Sequence, residues 1–176
     1  MEIQRMLITP STTVHQLLVA YPELEDVLIE MAPPFEKLRN PFLRKSVAKV
    51  ATISHIASVA GLSLDGLIKQ IRAAVGQATG DESYPEESYF SEQPDWFAPE
   101  KIVLSLNEEQ LEEKDVMPLV IILREAKKVQ AGEIIEFLTT YLPAPGIDLL
   151  KARGYSAWIR PPENGLITSY FLKNTH

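Results

Sequence analysis

The chain has 176 residues, 45% of them hydrophobic, and a formal charge of −7, enough for one domain or two small ones with real cores. Zero cysteines exclude disulfides, thiol nucleophiles, persulfide carriage and thiolate metal sites. No apolar run approaches the roughly 18 residues of a membrane span, and the opening MEIQRMLITPS lacks a signal-peptide core, so a cytoplasmic protein without a membrane partner is expected.

The charge is unevenly placed. Residues 1–76 carry 8 basic and 7 acidic groups, residues 101–176 carry 9 and 10, and residues 77–100 carry none and 7. Neither flanking part is basic enough for a nucleic-acid footprint. This shift divides the chain into an expected domain at 1–76, an acidic linker at 77–100 and a second domain at 101–176.

Residues 1–76 read as helical. Thr13 has Gln16 three positions on, the spacing of a capping box, ahead of Val14, Leu17 and Leu18. Pro22 opens a second helix, with acidic residues near its start and Leu24, Val27, Leu28 and Met31 on one face. Pro33-Pro34 breaks it before a short turn of helix at Phe35–Leu38. Asn40-Pro41 starts a third helix, Thr52 caps a fourth that Gly61 ends, and Ser63 caps a fifth with Leu64, Leu67, Ile68 and Ile71 as its stripe. Short helices on short loops predict an orthogonal bundle.

The acidic stretch QATGDESYPEESYFSEQPDWFAPE begins as a linker, but Tyr84, Tyr89, Phe90, Trp96 and Phe97 are too many aromatics for pure disorder. Its Trp96-Phe97 end is expected to dock on a domain. Residues 101–176 then read as strand (101–106), a turn capped by Asn107, a helix from Pro118, a strand over 133–141, a helix opened by Pro145 and stopped by Gly154, a strand over 155–160, and a last strand over 166–173 behind the tight-turn pair Asn164-Gly165. The order β-α-β-α-β-β predicts a four-stranded mixed sheet with both helices on one face. The fold class expected is therefore α+β: an N-terminal helical bundle and a C-terminal βαβαββ two-layer sandwich.

Those C-terminal residues, with Pro118, Gly132-Glu133, Pro143-Ala144-Pro145 and Gly154 as landmarks, resemble the TusA/SirA-like sulfur-carrier superfamily, and within it the branch with a Pro-Ala-Pro turn. The resemblance implies a Cys-Pro-x-Pro motif at the first helix. The matching stretch is Asp115-Val116-Met117-Pro118, so Asp115 stands at the cysteine position and sulfur cannot be carried there. The N-terminal half, through ITPSTTVHQLLVAYPELEDVLI and NPFLRKSVAKVATISHIASVAG, resembles a small helical family of unknown function. Some of its relatives carry a Cys-x-x-Cys and stand near redox modules; Met31–Phe35 occupies that region here. The two resemblances imply a place near redox or sulfur metabolism.

Thr139, Thr140 and Tyr141 lie before the Pro145 helix, where hydroxyls and a helix N-terminus could hold an anion; plain strand and turn residues are the alternative. Arg39, Arg44, Lys45 and Lys49 surround the Asn40-Pro41 helix. They form either a solvated face or, with Trp96, an interaction surface, and the acidic 77–100 stretch is an available intramolecular partner. Asp115 reads as a helix N-cap or first-turn acid, and no titratable partner that would make it a catalytic carboxylate is identifiable from the sequence. His15, His55 and His176 have no metal-ligand spacing, and no catalytic residue is assigned. The expected function is a non-catalytic binding or regulatory adaptor for a protein partner or a small anionic ligand. The competing class is a redox or sulfur accessory, or carrier, working through an unidentified cofactor. Homodimerisation through a sheet edge is a further expectation.

Overall fold

A computed structural model describes residues 6–85, 88–112, 116 and 118–175. The chain forms two compact units, Met1–Glu86 and Glu87–His176. The first is helical and the second holds a four-stranded mixed sheet with helices, so the α+β class follows as the sequence predicts.

In the helical unit, α1 (Val14–Ala20) starts at a capping box in which Thr13 and Gln16 satisfy one another's backbone N–H groups. The helix α2 (Leu24–Met31) follows Pro22 and carries Glu25 and Asp26 in its first turn, where the helix dipole favours them. A 3-10 turn (Pro33–Arg39) buries Phe35 and Leu38 and leads into α3 (Pro41–Ser46). Next come α4 (Ile53–Ala60), closed by Gly61 at φ 65°, and α5 (Leu64–Ala74) behind the Ser63 cap. Leu67, Ile68 and Ile71 of α5 are buried against a core that includes Ile8, Leu17, Leu24, Ile53 and Ile56. Each such side chain contributes roughly 1.5–3 kcal/mol.

The α1 and α4 starts are related in a way the sequence reading missed. The box at Thr13 and Gln16 recurs 39 residues later at Thr52 and His55, with the His55 Nδ1 accepting from the Thr52 N–H at 3.1 Å. The two caps form an antiparallel bridge: Val14 N–H donates to the Ala51 carbonyl at 2.8 Å and Ile53 N–H to the Thr12 carbonyl at 3.0 Å. The unit is thus built from two like helix starts joined at their caps.

The same unit takes in residues of the acidic stretch. Arg72 lies on the α5 stripe, one turn beyond Ile68, and only 3% of it is exposed. Its Nε and Nη2 donate to the Ile8 carbonyl at 3.0 and 2.8 Å, and its Nη1 donates to Glu82 at 2.8 Å. Tyr84 N–H and Ser83 Oγ donate to the Asp65 carboxylate. Gln77 donates to the Met6 carbonyl and the Tyr21 hydroxyl. Arg72 and Gln77 thereby tie both ends of the unit to its core.

In the second unit β1 (Ile102–Asn107) pairs parallel with β2 (Ile134–Thr139), which pairs antiparallel with β4 (Ile167–Lys173), which pairs antiparallel with β3 (Tyr155–Ile159). The order is β1-β2-β4-β3. Helix α6 (Pro118–Glu125) crosses from β1 to β2, and α7 (Ala144–Ala152) from β2 to β3. The β3–β4 turn is the predicted Asn164-Gly165 pair, with φ of 52° and 78°. The two helices touch: a methyl group on Gly146 would lie 3.0 Å from Leu119 Cδ1. Alternation in β2 places Ile135, Phe137 and Thr139 on one face, all fully buried.

The opposite face is partly covered by the other end of the acidic stretch. Trp96 and Phe97 pack on Ile134, Trp158 and Tyr170. The Phe97 ring lies 4.8 Å from Trp158 and 4.6 Å from Tyr170, and the last two stack at 5.1 Å. The aromatic docking expected from the sequence is therefore present. The stretch also runs along the edge of β3: Phe90 bridges Ile159, Ser91 N–H donates to the Ile159 carbonyl, and Trp158 Nε1 donates to the Ser91 carbonyl at 3.1 Å. Tyr89 donates to Asp148 of α7 at 2.9 Å, with the Lys151 ammonium 6.0 Å from its ring.

Candidate functional site

The expected anion-binding residues stand at the end of β2. Thr139 is its last residue, fully buried, and its hydroxyl donates to the Tyr141 carbonyl at 2.6 Å, closing a tight local turn. Parallel pairing sets Asn107 beside Leu138, so the residue after β1 meets the residues after β2. That residue is Glu108, in a short 3-10 turn that the Asn107 side chain caps. The N–H and the hydroxyl of Thr140 both donate to one oxygen of Glu108, at 3.0 Å each. The threonine donors thus hold an anion supplied by the chain itself. Burial, with the Glu108 charge adding to it, pushes the Tyr141 hydroxyl far above its ordinary value and keeps it neutral.

Pro145 is the second residue of α7, not the first: Ala144 precedes it and Pro143 is the cap. The donors expected at this helix start are few, because Pro145 has no N–H and Ala144 N–H donates to the Leu142 carbonyl at 2.9 Å. Thr139, Thr140, Tyr141 and Pro145 are thus close along the chain, and only Thr140 presents two donors to one acceptor.

The two arginines of the basic cluster are paired within their own unit. Arg39 meets Asp26 at 2.8 Å, and Arg44 makes an ion pair with Glu25; both carboxylates belong to the first turn of α2. Lys45 and Lys49 are exposed. Of the acidic stretch, an available partner for this cluster, Glu82 pairs with Arg72. Neighbours explain this: α2 already brings two carboxylates to Arg39 and Arg44. Trp96 is half-buried on its own sheet. Asp115 and His176 lie outside the described residues.

Sequence reasoning did not find Arg72 or Glu108, or a polar row across the sheet. In that row Ser105, Glu136, Tyr170 and Trp158 are aligned across four strands, and the Ser105 hydroxyl donates to Glu136 at 2.7 Å. Burial raises the Tyr170 hydroxyl; a hydrogen bond with Arg160 opposes this and one with Glu136 adds to it. A cavity of about 280 Å³ lies between β1, its following turn and α6, lined by Leu106, Gln110, Leu111, Glu112, Ile121, Arg124 and Glu125. It carries both signs of charge over an apolar floor. Among the described residues no group of three or more His, Asp or Glu could hold a metal ion, and no helix is long and apolar enough to cross a membrane.

The two sheet edges differ. The β3 edge has residues 90–91 laid against it, whereas β1 pairs only with β2 among the described residues. A bulge falls at Val103, which is 52% exposed. Such an edge presents unpaired N–H and C=O groups to a partner strand.

A family model described as a domain of unknown function (DUF1858) matches residues 8–68. The N-terminal unit is similar to that domain along α1 to α5, which agrees with the resemblance of this half to a helical family without assigned function. No curated protein and no solved structure matches the chain.

Proposed function

We propose that the chain is a non-catalytic binding adaptor that engages a protein partner through the open β1 edge of its sheet unit. The observation that carries this reading is the difference between the edges: one is lined by the chain's own residues 90–91, and among the described residues the other pairs only with β2. Pairing a strand with such an edge uses backbone hydrogen bonds for affinity and alternate side chains for selectivity. A small anionic ligand is the weaker reading, because the donors suited to it already hold Glu108, Glu25, Asp26 and Glu82. An outside anion would have to displace a tethered carboxylate.

The sheet unit is further read as a cysteine-free relative of the sulfur-carrier domains. The βαβαββ order supports this, as do the Pro-Ala-Pro turn into α7 and the positive φ of Gly132 and Gly154. A place near redox or sulfur metabolism rests on that relationship and on the company kept by the helical family. Amide hydrogen exchange on the dilute full-length protein tests the adaptor reading. Faster exchange across Ile102–Asn107 than across Tyr155–Ile159 is expected, and β1 amides as protected as those of β3 would show the edge to be covered already.

A further inference from the structure

We propose that the α5 face presenting Asp65 and Arg72 is a recognition site for an acidic peptide of the form Glu-Ser-Tyr. Residues 82–84 occupy it as a resident ligand, and the same motif on another protein displaces them. The surface lies on the helical unit and stands independently of the β1 edge. Asp65 and Arg72 are seven positions apart, so two turns of helix set them on one side, about 10 Å apart along the axis. The Arg72 Nε and Nη2 are fixed on the buried Ile8 carbonyl at 3.0 and 2.8 Å. That leaves Nη1 for Glu82 at 2.8 Å, whose own side chain is 53% exposed. The guanidinium is therefore oriented by the core and not by the segment it holds, so the site is formed before a peptide arrives.

Asp65 supplies the matching acceptors. Tyr84 N–H donates to its Oδ1 at 2.8 Å and the Ser83 hydroxyl to its Oδ2 at 3.2 Å. The Tyr84 hydroxyl donates to Glu82 and accepts from Arg72 Nη2 at 3.3 Å. A cation thus reads the glutamate, as in other acidic motifs taken up by arginine, while a carboxylate reads the backbone and the serine. The segment held there has the character of a ligand: Asp81, Glu82 and Ser83 are exposed, and residues 77–85 form neither helix nor strand. Its pattern also occurs twice, since Asp81-Glu82-Ser83-Tyr84-Pro85 is followed at once by Glu86-Glu87-Ser88-Tyr89-Phe90. In the second copy Tyr89 donates to Asp148 beside Lys151. Two surfaces of this chain, on α5 and on α7, therefore hold the tyrosine of this pentapeptide on a carboxylate with a cation beside it. A small anion would meet Arg72 alone, whereas a peptide replaces the resident segment bond for bond. The tether between Arg72 and Glu82 spans ten positions, which gives the resident copy an effective concentration of about millimolar, within reach of a competitor.

The test is a titration of isotope-labelled full-length protein with the unlabelled peptide Gly-Asp-Glu-Ser-Tyr-Pro, followed by nuclear magnetic resonance. Three proteins are compared: the wild type, Glu82→Gln with Tyr84→Phe, and that double variant with Asp65→Asn added. In the double variant, whose resident copy is weakened, the Asp65 and Arg72 signals should shift saturably with Kd roughly 0.1–1 mM. The wild type should bind about three- to tenfold more weakly because its own copy competes, and Asp65→Asn should cost the double variant about tenfold. Absence of saturable shifts at Asp65 and Arg72 in the double variant overturns the proposal. Equal affinity in the wild type and the double variant, or in the double variant with and without Asp65→Asn, overturns it too. Should the double variant not fold, the wild type decides: millimolar peptide should move the Tyr84 amide, which displacement frees from Asp65, and a Tyr84 signal that stays in place overturns the proposal.

Discussion

Replacing Phe97 by alanine tests whether the acidic stretch is part of the sheet unit or merely follows it. Phe97 is half-buried and touches two rings, edge-on to Trp158 at 4.8 Å and tilted to Tyr170 at 4.6 Å. Phe→Ala in a closed core costs about 3–5 kcal/mol. Half of that, about 2 kcal/mol, suits a half-buried ring, and the aromatic geometry adds about 0.5–1.5 kcal/mol. With a urea slope of roughly 1 kcal/mol/M for a unit of this size, the midpoint should fall by about 2 M or more. The readout is selective, because the chain has 2 tryptophans, Trp96 and Trp158, and both lie in this cluster. Their fluorescence should also shift to that of wetter indoles. Phe97→Leu, which keeps apolar area and loses the ring, should recover more than half of the lost stability. An unchanged midpoint with unchanged fluorescence in Phe97→Ala would refute the docking of residues 88–97 on the sheet.

Three further outcomes follow from the same contacts. Arg72→Met leaves the buried Ile8 carbonyl without its charged donor and should lower the stability of the helical unit by about 2–3 kcal/mol, read by circular dichroism during urea unfolding; Arg72→Lys should recover little, lacking the fork that reaches both Ile8 and Glu82. Glu82 is held below its ordinary value of 4.5, first by the Tyr84 hydroxyl and then by Arg72. Its folded value is thus depressed, so its contribution is present above about pH 4.5 and is lost as pH falls through the folded value. The stability of the helical unit should therefore drop more steeply on the acid side in the wild type than in Glu82→Gln, and identical profiles would remove Glu82 from the account. Gly146→Val forces branched carbons toward Leu119 at the α6–α7 contact and should cost about 1–3 kcal/mol in thermal unfolding, whereas Gly146→Ser should cost less.

Local chemistry was the legible part of this chain. Thr13, Thr52, Ser63, Gly61, Gly154 and Asn164-Gly165 each act within a few residues of themselves, and each sits where capping and turn rules place it. Ile135, Phe137 and Thr139 alternate onto one buried face of β2, and Ile134 on the other face is equally buried because Trp96 and Phe97, distant in sequence from it, pack there. His55 escaped as a capping-box partner because the rule looks for Glu or Gln, while a neutral imidazole accepts the same bond. Long-range pairings were not legible. Thr140 and Glu108 are 32 positions apart and meet only through the parallel register of β1 and β2. Arg72 reaches back 64 positions to Ile8; on a helical stripe it reads as a long side chain leading to solvent. The basic cluster was visible as charges, but the pairing of its two arginines with Glu25 and Asp26 depends on how α2 and α3 pack.

Native mass spectrometry of the purified full-length protein, set against its denatured mass, tests the central claim most directly. A non-catalytic adaptor that acts through its sheet edge predicts a native mass of one chain, 19.7 kDa, or of two, with nothing further lost on denaturation. Excess mass that leaves on denaturation would contradict it and point instead to an accessory that works through a tightly held cofactor.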